Sequence, residues 1–295
     1  MFPSWLAGRR GDAGRVSENS MECQFDWAAR SDVGRVRANN EDAFRVAPEL
    51  DLFVLSDGMG GLASGEVASR MATEAIVAHC RAAESDPSLP LCGGRIGGVS
   101  PGSNRLASAI RCANREIRHA AERNPAWGGM GATVVAVQFA EERMSVAHVG
   151  DSRAYRFRPR ELQQLTRDHS FVAEQVRRGL LTETEAGESK LQNVLLRALG
   201  AEAEVEIDVE EELMLEGDTV LLCSDGLTRE LSDAQIRAVL EHAEDAQRAA
   251  DQLIDLANAA GGEDNITAVV VRHAPKPVGA FARIGQWIKG SQGTP

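Results

Sequence analysis

Asp57, Asp225 and Asp264 each stand at the end of an apolar run, in FVLSDGMGG, VLLCSDGL and GGEDNITAVVV. Carboxylates delivered at or near strand tips, two of them running straight into glycine, are the parts of a divalent-metal site built on sheet ends. A hard dication such as Mg²⁺ or Mn²⁺ takes oxygen ligands and keeps several waters, so a few carboxylates and one backbone carbonyl suffice to hold two ions. Asp57, Gly58 through its carbonyl, Asp225 and Asp264 can supply that set. Two ions about 3.5 to 4 Å apart lower the pKa of a shared water and clamp a transferred group. A fourth acidic cluster, SDVGRVRANNEDAF, places Glu41 and Asp42 four and five residues after Arg37. The planar fork of Arg37 matches phosphate oxygens bidentately, which a lysine would not do. Acids plus one arginine suit metal-assisted phosphate chemistry. One Asp-Gly alone is more often a turn, but four motifs of the same kind make that a poor account of the whole.

These side chains need strands to carry them and helices to cover the strands. Short apolar runs closed by Asn, Pro, Asp or Gly predict strands over FDWAARSD, EDAFRVA and LFVLSD. Residues 64–83 read as a helix with Ser64 as N-cap and Val67, Met71, Ala75 and Ile76 on one face. A loop rich in Pro, Gly and Ser follows from about residue 84 to 103. NRLASAIRCANREIRHAAER is a second long helix, with Leu106, Ile110, Ala113 and Ile117 at helical spacing. Strands resume in GATVVAVQFA, RMSVAHVG, RAYRFR and ELQQLT, a meander of antiparallel hairpins. Residues 168–200 are a polar, partly helical excursion, read as a flap. VEIDVEEELML and DTVLLCSD are strands again, and two helices, SDAQIRAVLEHA and DAQRAADQLIDLANAA, precede the last strand, ITAVVVRHA. Runs of strands with paired helices argue for layered sheets covered by helices, not for strict βαβ alternation.

With 295 residues and 43% hydrophobic content, the chain reads as one large domain with a real core. Residues 1–22 are expected to be a flexible extension, with Met21 as an alternative start, 23–274 the folded domain, and 275–295 a tail. No apolar run approaches the roughly 18 residues of a membrane span. The amino-terminal residues have the wrong order for a secretory signal, and the five cysteines include no CxxC pair. Both point to a reducing cytoplasm. A formal net charge of −12 disfavours nucleic acid or an anionic membrane as partner.

SDVGRVRANNEDAF, LSDGMGG with the GEVAS helix start, GMGATVVA, AHVGDSRAY, LCSDGL and GGEDNITAVVV resemble, in order, the motifs of metal-dependent Ser/Thr protein phosphatases of type 2C. They span roughly residues 25 to 274. The resemblance implies an α+β fold, a four-layer α-β-β-α sandwich of two antiparallel sheets with flanking helices, and a binuclear Mn²⁺ or Mg²⁺ centre at one edge. It implies that Asp57 bridges two ions, Gly58 gives its carbonyl to one, and Asp225 and Asp264 hold the other. Glu41 and Asp42 would act through waters, and Arg37 would grip the phosphate. Asp151 matches the aspartate of a third metal site in bacterial members, although GDSR reads equally as a polar hairpin turn.

Where many eukaryotic members have histidine, this chain has Met59, which cannot donate a proton. His169 in the flap is the histidine to nominate as a general acid, against the plainer reading of a surface histidine beginning a helix. His148 reads as a packed strand residue and Cys223 as a core thiol. The implied function is hydrolysis of phosphoserine and phosphothreonine on proteins by a monomeric enzyme, with a cognate kinase and its substrates as partners. A phosphoprotein-binding scaffold, or a hydrolase of small phosphate esters or of a regulatory anti-sigma antagonist, are the rivals.

Overall fold

The computed structural model describes residues 25–60 and 64–273; the expected amino-terminal extension and carboxy-terminal tail lie outside them. In chain order the elements are β1 (Phe25–Asp32), β2 (Asp42–Ala47), β3 (Leu52–Met59), α1 (Ser64–Ser85), α2 (Pro101–Arg123), β4 (Gly131–Ala132), β5 (Val134–Ala140), β6 (Arg143–Val149), β7 (Arg153–Arg158), β8 (Glu161–Gln164), α3 (Phe171–Arg177), α4 (Glu183–Gly187), β9 (Asp208–Leu213), β10 (Thr219–Cys223), α5 (Asp225–Glu230), α6 (Asp233–His242), α7 (Ala246–Ala260) and β11 (Ile266–His273).

All strand pairs are antiparallel and form two sheets. One runs β1-β11-β10-β7-β8, and the other β2-β3-β5-β6-β9 with β4 paired to β3. The central strands are apolar without interruption because both faces are buried. In β3, Leu52 and Val54 point to α1 and α2, while Phe53 and Leu55 point to the facing sheet. In β11, Ala268 and Val270 meet the helices α5 to α7, and Val269 and Val271 enter the space between the sheets. The period of two in a strand thus divides the core into three apolar layers, and the order α-β-β-α follows.

The helices begin where local hydrogen bonding dictates. Ser100 accepts from the Ser103 N–H at the start of α2, with Pro101 in the first turn. Ser232 and Gln235 form a reciprocal capping box on α6. The α1 stripe differs from the expected face: Ala68, Ala72 and Ile76 are fully buried, and Val67 and Met71 pack only at its edge. Small residues there let α1 lie close on β3. Ser64 falls inside the helix and not one position before it.

The excursion from 168 to 200 carries α3 and α4, and its base is fastened. Ser170 and Leu195 form an antiparallel bridge, as do Ala132 and Leu199. Short helix α5 has no counterpart in the sequence reading, because Ser-Asp-Gly reads as a turn. Among the described residues, no helix is long and apolar enough to cross a membrane.

Candidate metal centre

The pairing of β2 with β3 sets Asp42 opposite Asp57. The Gly58 N–H donates to Glu41 O over 3.1 Å, continuing that pairing to the sheet end. Thr133, between β4 and β5, holds Asp57 by both backbone groups: its Oγ1 accepts from Asp57 N–H at 3.0 Å and its N–H donates to Asp57 O at 2.8 Å. Asp225 opens α5 directly after β10, and Asp264 lies two residues before β11. Both belong to the other sheet, so the acids collect where the ends of the two sheets meet.

Close backbone approach fixes the glycines of this region. A Cβ on Gly58 would come 2.1 Å from Gly65 O, and one on Gly226 would come 2.1 Å from Asn265 O. A Cβ on Gly65 would lie 2.6 Å from Glu41 Oε2, which places the Glu41 carboxylate over the first turn of α1. The backbone also passes closely at the GMGAT run, since a Cβ on Gly131 would stand 2.9 Å from Leu199 O.

The carboxylates are short of positive charge. Asp42 Oδ2 accepts from Ser224 Oγ at 2.7 Å and Thr267 Oγ1 at 2.6 Å, while its Oδ1 is fully buried with no partner among the described residues. Burial pushes the Asp42 carboxyl up to about 7; the two hydroxyls oppose the shift, and Asp225 and Asp264 add to it. Burial first, then the charges of Asp42, Asp225, Asp151 and Asp264, push Asp57 well above the ordinary carboxylate range. Asp225 is raised by burial and by Asp264, against the pull of Arg229 and a hydrogen bond with Asp57. Its Oδ1 is also fully buried, with no partner among the described residues. Asp151, 8% exposed, is pushed to about 7 by burial and then by Asp225 and Asp168. Glu41 is raised by burial, and Arg37 lowers it.

Two arginines reach the cluster. Arg37 Nη2 donates to Asp264 Oδ2 at 2.8 Å, with its side chain 49% exposed. Arg229, which the sequence reading did not single out, pairs with Asp225 one helical turn earlier and with Asp264 Oδ2 at 3.2 Å. Its signal was the i, i+4 spacing on a helix that the DGL turn concealed. Asn265 was also missed. Its Oδ1 accepts from the Glu41 N–H at 2.8 Å and its Nδ2 donates to Val33 O and Asn39 O, so it fastens the loop carrying Arg37.

A buried acid cluster with two orphaned carboxylate oxygens fits divalent ions held by oxygen. The acids singled out from the sequence form one electrostatic network: Asp57 is affected by Asp42, Asp225, Asp151 and Asp264, and Glu41 joins through Asp264. A cleft of about 1050 Å³ opens beside them, lined by Asp151, Asp225, Arg229 and Glu263 and by residues of α3 and α4.

His169 is not placed to act as a general acid. The side chain is buried, its Nδ1 accepts from the Gly150 N–H at 3.1 Å, and its Nε2 lies 3.3 Å from Asp208 Oδ2. Burial, then the neighbouring His148, lowers its pKa to about 4, so the ring is uncharged at neutral pH. The surface reading fails too. His148 is packed in β6 as expected, and Cys223 is a fully buried thiol pushed up to about 12.

Residues 34–268 match the protein phosphatase 2C family. The chain is 41% identical over 248 residues to the serine/threonine protein phosphatase PstP of Mycobacterium tuberculosis, covering 83% of this chain and 44% of that protein. It is 38% identical over 245 residues to the serine/threonine phosphatase stp of Listeria monocytogenes, covering 82% and 93% respectively. The solved catalytic domain of PstP in complex with 2 manganese ions aligns with a TM-score of 0.70 at 39% identity, over 84% of this chain and 97% of that one. The chain thus spans less than half the length of the mycobacterial relative and nearly all of the listerial one.

Proposed function

The chain belongs to the protein phosphatase 2C family, and on that premise we propose that it hydrolyses phosphoserine and phosphothreonine esters on proteins with two Mn²⁺ or Mg²⁺ ions. Asp57, Asp225, Asp264 and the Gly58 carbonyl would hold the ions, Glu41 and Asp42 would act through waters, and Asp151 with Asp225 would hold a third. The observation that carries this reading is the pair of fully buried oxygens, Asp42 Oδ1 and Asp225 Oδ1, that have no partner among the described residues, inside a cluster of acids whose carboxyls burial and mutual repulsion raise. Divalent ions held by these acids would neutralise the cluster, lower the pKa of a water toward neutrality and offset the charge of the phosphoryl group.

The chain's own residues do the rest. The hydroxyls of Ser224 and Thr267 clamp one oxygen of Asp42 and so fix the direction of the other. Asn265 holds the loop from Val33 to Glu41, and with it Arg37. Arg37 spends one nitrogen on Asp264 and is half exposed, so its remaining donors can grip a phosphate brought to the acid cluster. Arg229 pairs with both Asp225 and Asp264 at the wall of the cleft. Cys223, two residues before Asp225, is fully buried and is not a nucleophile here; the reading is attack by water without a phosphoenzyme.

Its partners in this reading are phosphorylated proteins, a Ser/Thr kinase and that kinase's targets in the cytoplasm, met by a monomer. The test is phosphate release from a phosphothreonine peptide with and without Mn²⁺, beside Asp225→Asn. Release that needs metal and falls at least about 100-fold in the variant is expected. A folded chain that releases none with either Mn²⁺ or Mg²⁺ would favour a phosphoprotein-binding scaffold.

A further inference from the structure

Gly150, the residue before Asp151, has both of its backbone polar groups engaged by a single residue. The His169 N–H donates to Gly150 O at 3.0 Å, and His169 Nδ1 accepts from the Gly150 N–H at 3.1 Å. Gly150 has φ +105°, and a Cβ there would come 2.6 Å from Thr133 Cγ2, so the turn admits no other residue without strain. Because Nδ1 accepts, the ring proton belongs on Nε2, which faces Asp208 Oδ2 at 3.3 Å. Arg197 Nη1 closes this group with 2.8 Å to Asp208 Oδ1, and His148 stacks on the ring at 4.7 Å between centroids. The same residue also anchors the flap. His169 O accepts from the Leu196 N–H at 2.7 Å, and the neighbouring Ser170 bridges to Leu195.

We propose that His169 is a positioning residue: its ring, oriented by Asp208, holds the Gly150 turn and thereby sets the Asp151 carboxylate for a divalent cation, tying that site to the base of the flap. This rests on the reading of Asp151 as a metal ligand. A ring whose far nitrogen is oriented by a carboxylate and whose near nitrogen takes a backbone N–H is a rigid strut. Here the strut supports the turn that carries a ligand and does not support the ion directly. A cation held by the histidines themselves is the other use of this cluster, since ligand atoms of His148, His169 and Asp208 lie within 4.8 Å of one another. Arg197 opposes that use, because its guanidinium is bound to Asp208 and stands 3.3 Å from His169 Nε2.

Two substitutions separate the halves of the strut. His169→Asn puts an amide oxygen where Nδ1 stands and keeps the acceptor for Gly150. His169→Gln reaches toward Asp208 and lacks that acceptor. Mn²⁺ binding to the whole chain, counted by calorimetric titration and by the loss of the free-ion electron resonance signal, reads out the sites without reference to turnover. In the wild type we expect tight sites and one weaker site, with Asp151→Asn removing only the weaker. His169→Asn should keep the weaker site within about threefold, and His169→Gln and His169→Ala should weaken it by roughly ten- to 100-fold. The tight sites, unchanged in every variant, report that each is folded. If Asp151→Asn leaves the count unchanged, the reading of Asp151 fails. If it removes a site but Asn, Gln and Ala at 169 all leave that site intact, or all weaken it equally, the positioning role fails. Tight Zn²⁺ binding that requires His148, His169 and Asp208 would replace it with a second metal site.

Discussion

Ser224 donates its hydroxyl to Asp42 Oδ2 at 2.7 Å, joining residues 182 positions apart that belong to different sheets. Thr267 makes a matching bond at 2.6 Å from β11. Ser224 stands at the N-cap position of α5 yet makes no side-chain capping bond, because its oxygen is committed to the acid cluster and to the Thr267 N–H. A hydroxyl whose oxygen would ordinarily accept from the N–H groups of its own helix instead donates to a carboxylate and so favours that carboxylate's charged form.

Removing these donors should therefore act through Asp42. Ser224→Ala and Thr267→Val each delete a hydrogen bond to a carboxylate already pushed up to about 7, so the carboxyl titrates higher and is more protonated at neutral pH. A bond to a charged group is worth about 1.5–3 kcal/mol, so the Mn²⁺ concentration for half-maximal activation should rise roughly tenfold at pH 7 and recover in part at pH 8.5. An activation curve that does not move at either pH would remove the hydroxyls from the function of the centre.

Arg37 should separate substrate binding from metal binding. Its guanidinium touches Asp264 through one nitrogen and is half exposed, so truncation leaves the acids in place. For Arg37→Ala we expect kcat/KM on a phosphopeptide to fall by about 10- to 100-fold, with Mn²⁺ affinity within about threefold of wild type. Arg37→Lys keeps the charge without the fork and should recover little. Loss of Mn²⁺ binding in either variant would instead make Arg37 a prop for Asp264.

The acids were legible in the sequence because each lies beside a strand end, and strand ends are marked by apolar runs meeting glycine. Their partners were not. Ser224, Thr267, Asn265 and Arg229 look like a cap, a strand residue, a turn residue and a surface charge until the two sheets are placed face to face. The contacts that give them meaning reach from 4 residues, between Asp225 and Arg229, to 225, between Asp42 and Thr267. Local pattern determines the first only if α5 is foreseen, and cannot determine the second. His169 failed for the same reason, since its place inside the fold depends on Gly150 and Asp208, which it meets only through tertiary packing.

Glycine substitutions should divide by what surrounds them. At Gly58 a methyl group would meet the Gly65 carbonyl at 2.1 Å, backbone against backbone, so β3 and α1 would have to separate. Overpacking of this kind costs about 1–3 kcal/mol or more, and Gly58→Ala should lower the Tm by roughly 3–10 °C and weaken Mn²⁺ binding. Gly187, in α4, has nothing within 4 Å of such a methyl, so Gly187→Ala should leave Tm unchanged or slightly raised. Equal effects of the two in thermal unfolding would contradict the packing at the centre.

Metal binding should be coupled to proton release, with a definite sign in stability. Asp42 and Asp151 are pushed up to about 7, and Asp57 and Asp225 are also raised, in the metal-free protein. Between the unfolded carboxylate range near pH 4 and pH 7, the native state therefore binds more protons than the unfolded chain. The stability these groups contribute is complete below pH 4 and is lost as pH rises through 7. His169, lowered to about 4, and His148, lowered by burial, act in the opposite direction, but only below their unfolded pKa of about 6.5. Their effect is half gone at pH 6.5 and nearly gone by about pH 7.5, so above pH 6.5 the raised carboxylates outweigh it. The chain in excess chelator should accordingly lose Tm from pH 6.5 to pH 8, while the increase in Tm on adding Mn²⁺ should be larger at pH 8, where fewer protons need be displaced. Titrations in buffers of different ionisation enthalpy should show protons released at pH 7 and few at pH 8.5. A chelated protein that gains Tm over this interval, or Mn²⁺ binding that releases no protons at pH 7, would mean that these acids are already ionised and that the cluster is not the electrostatically loaded site described here.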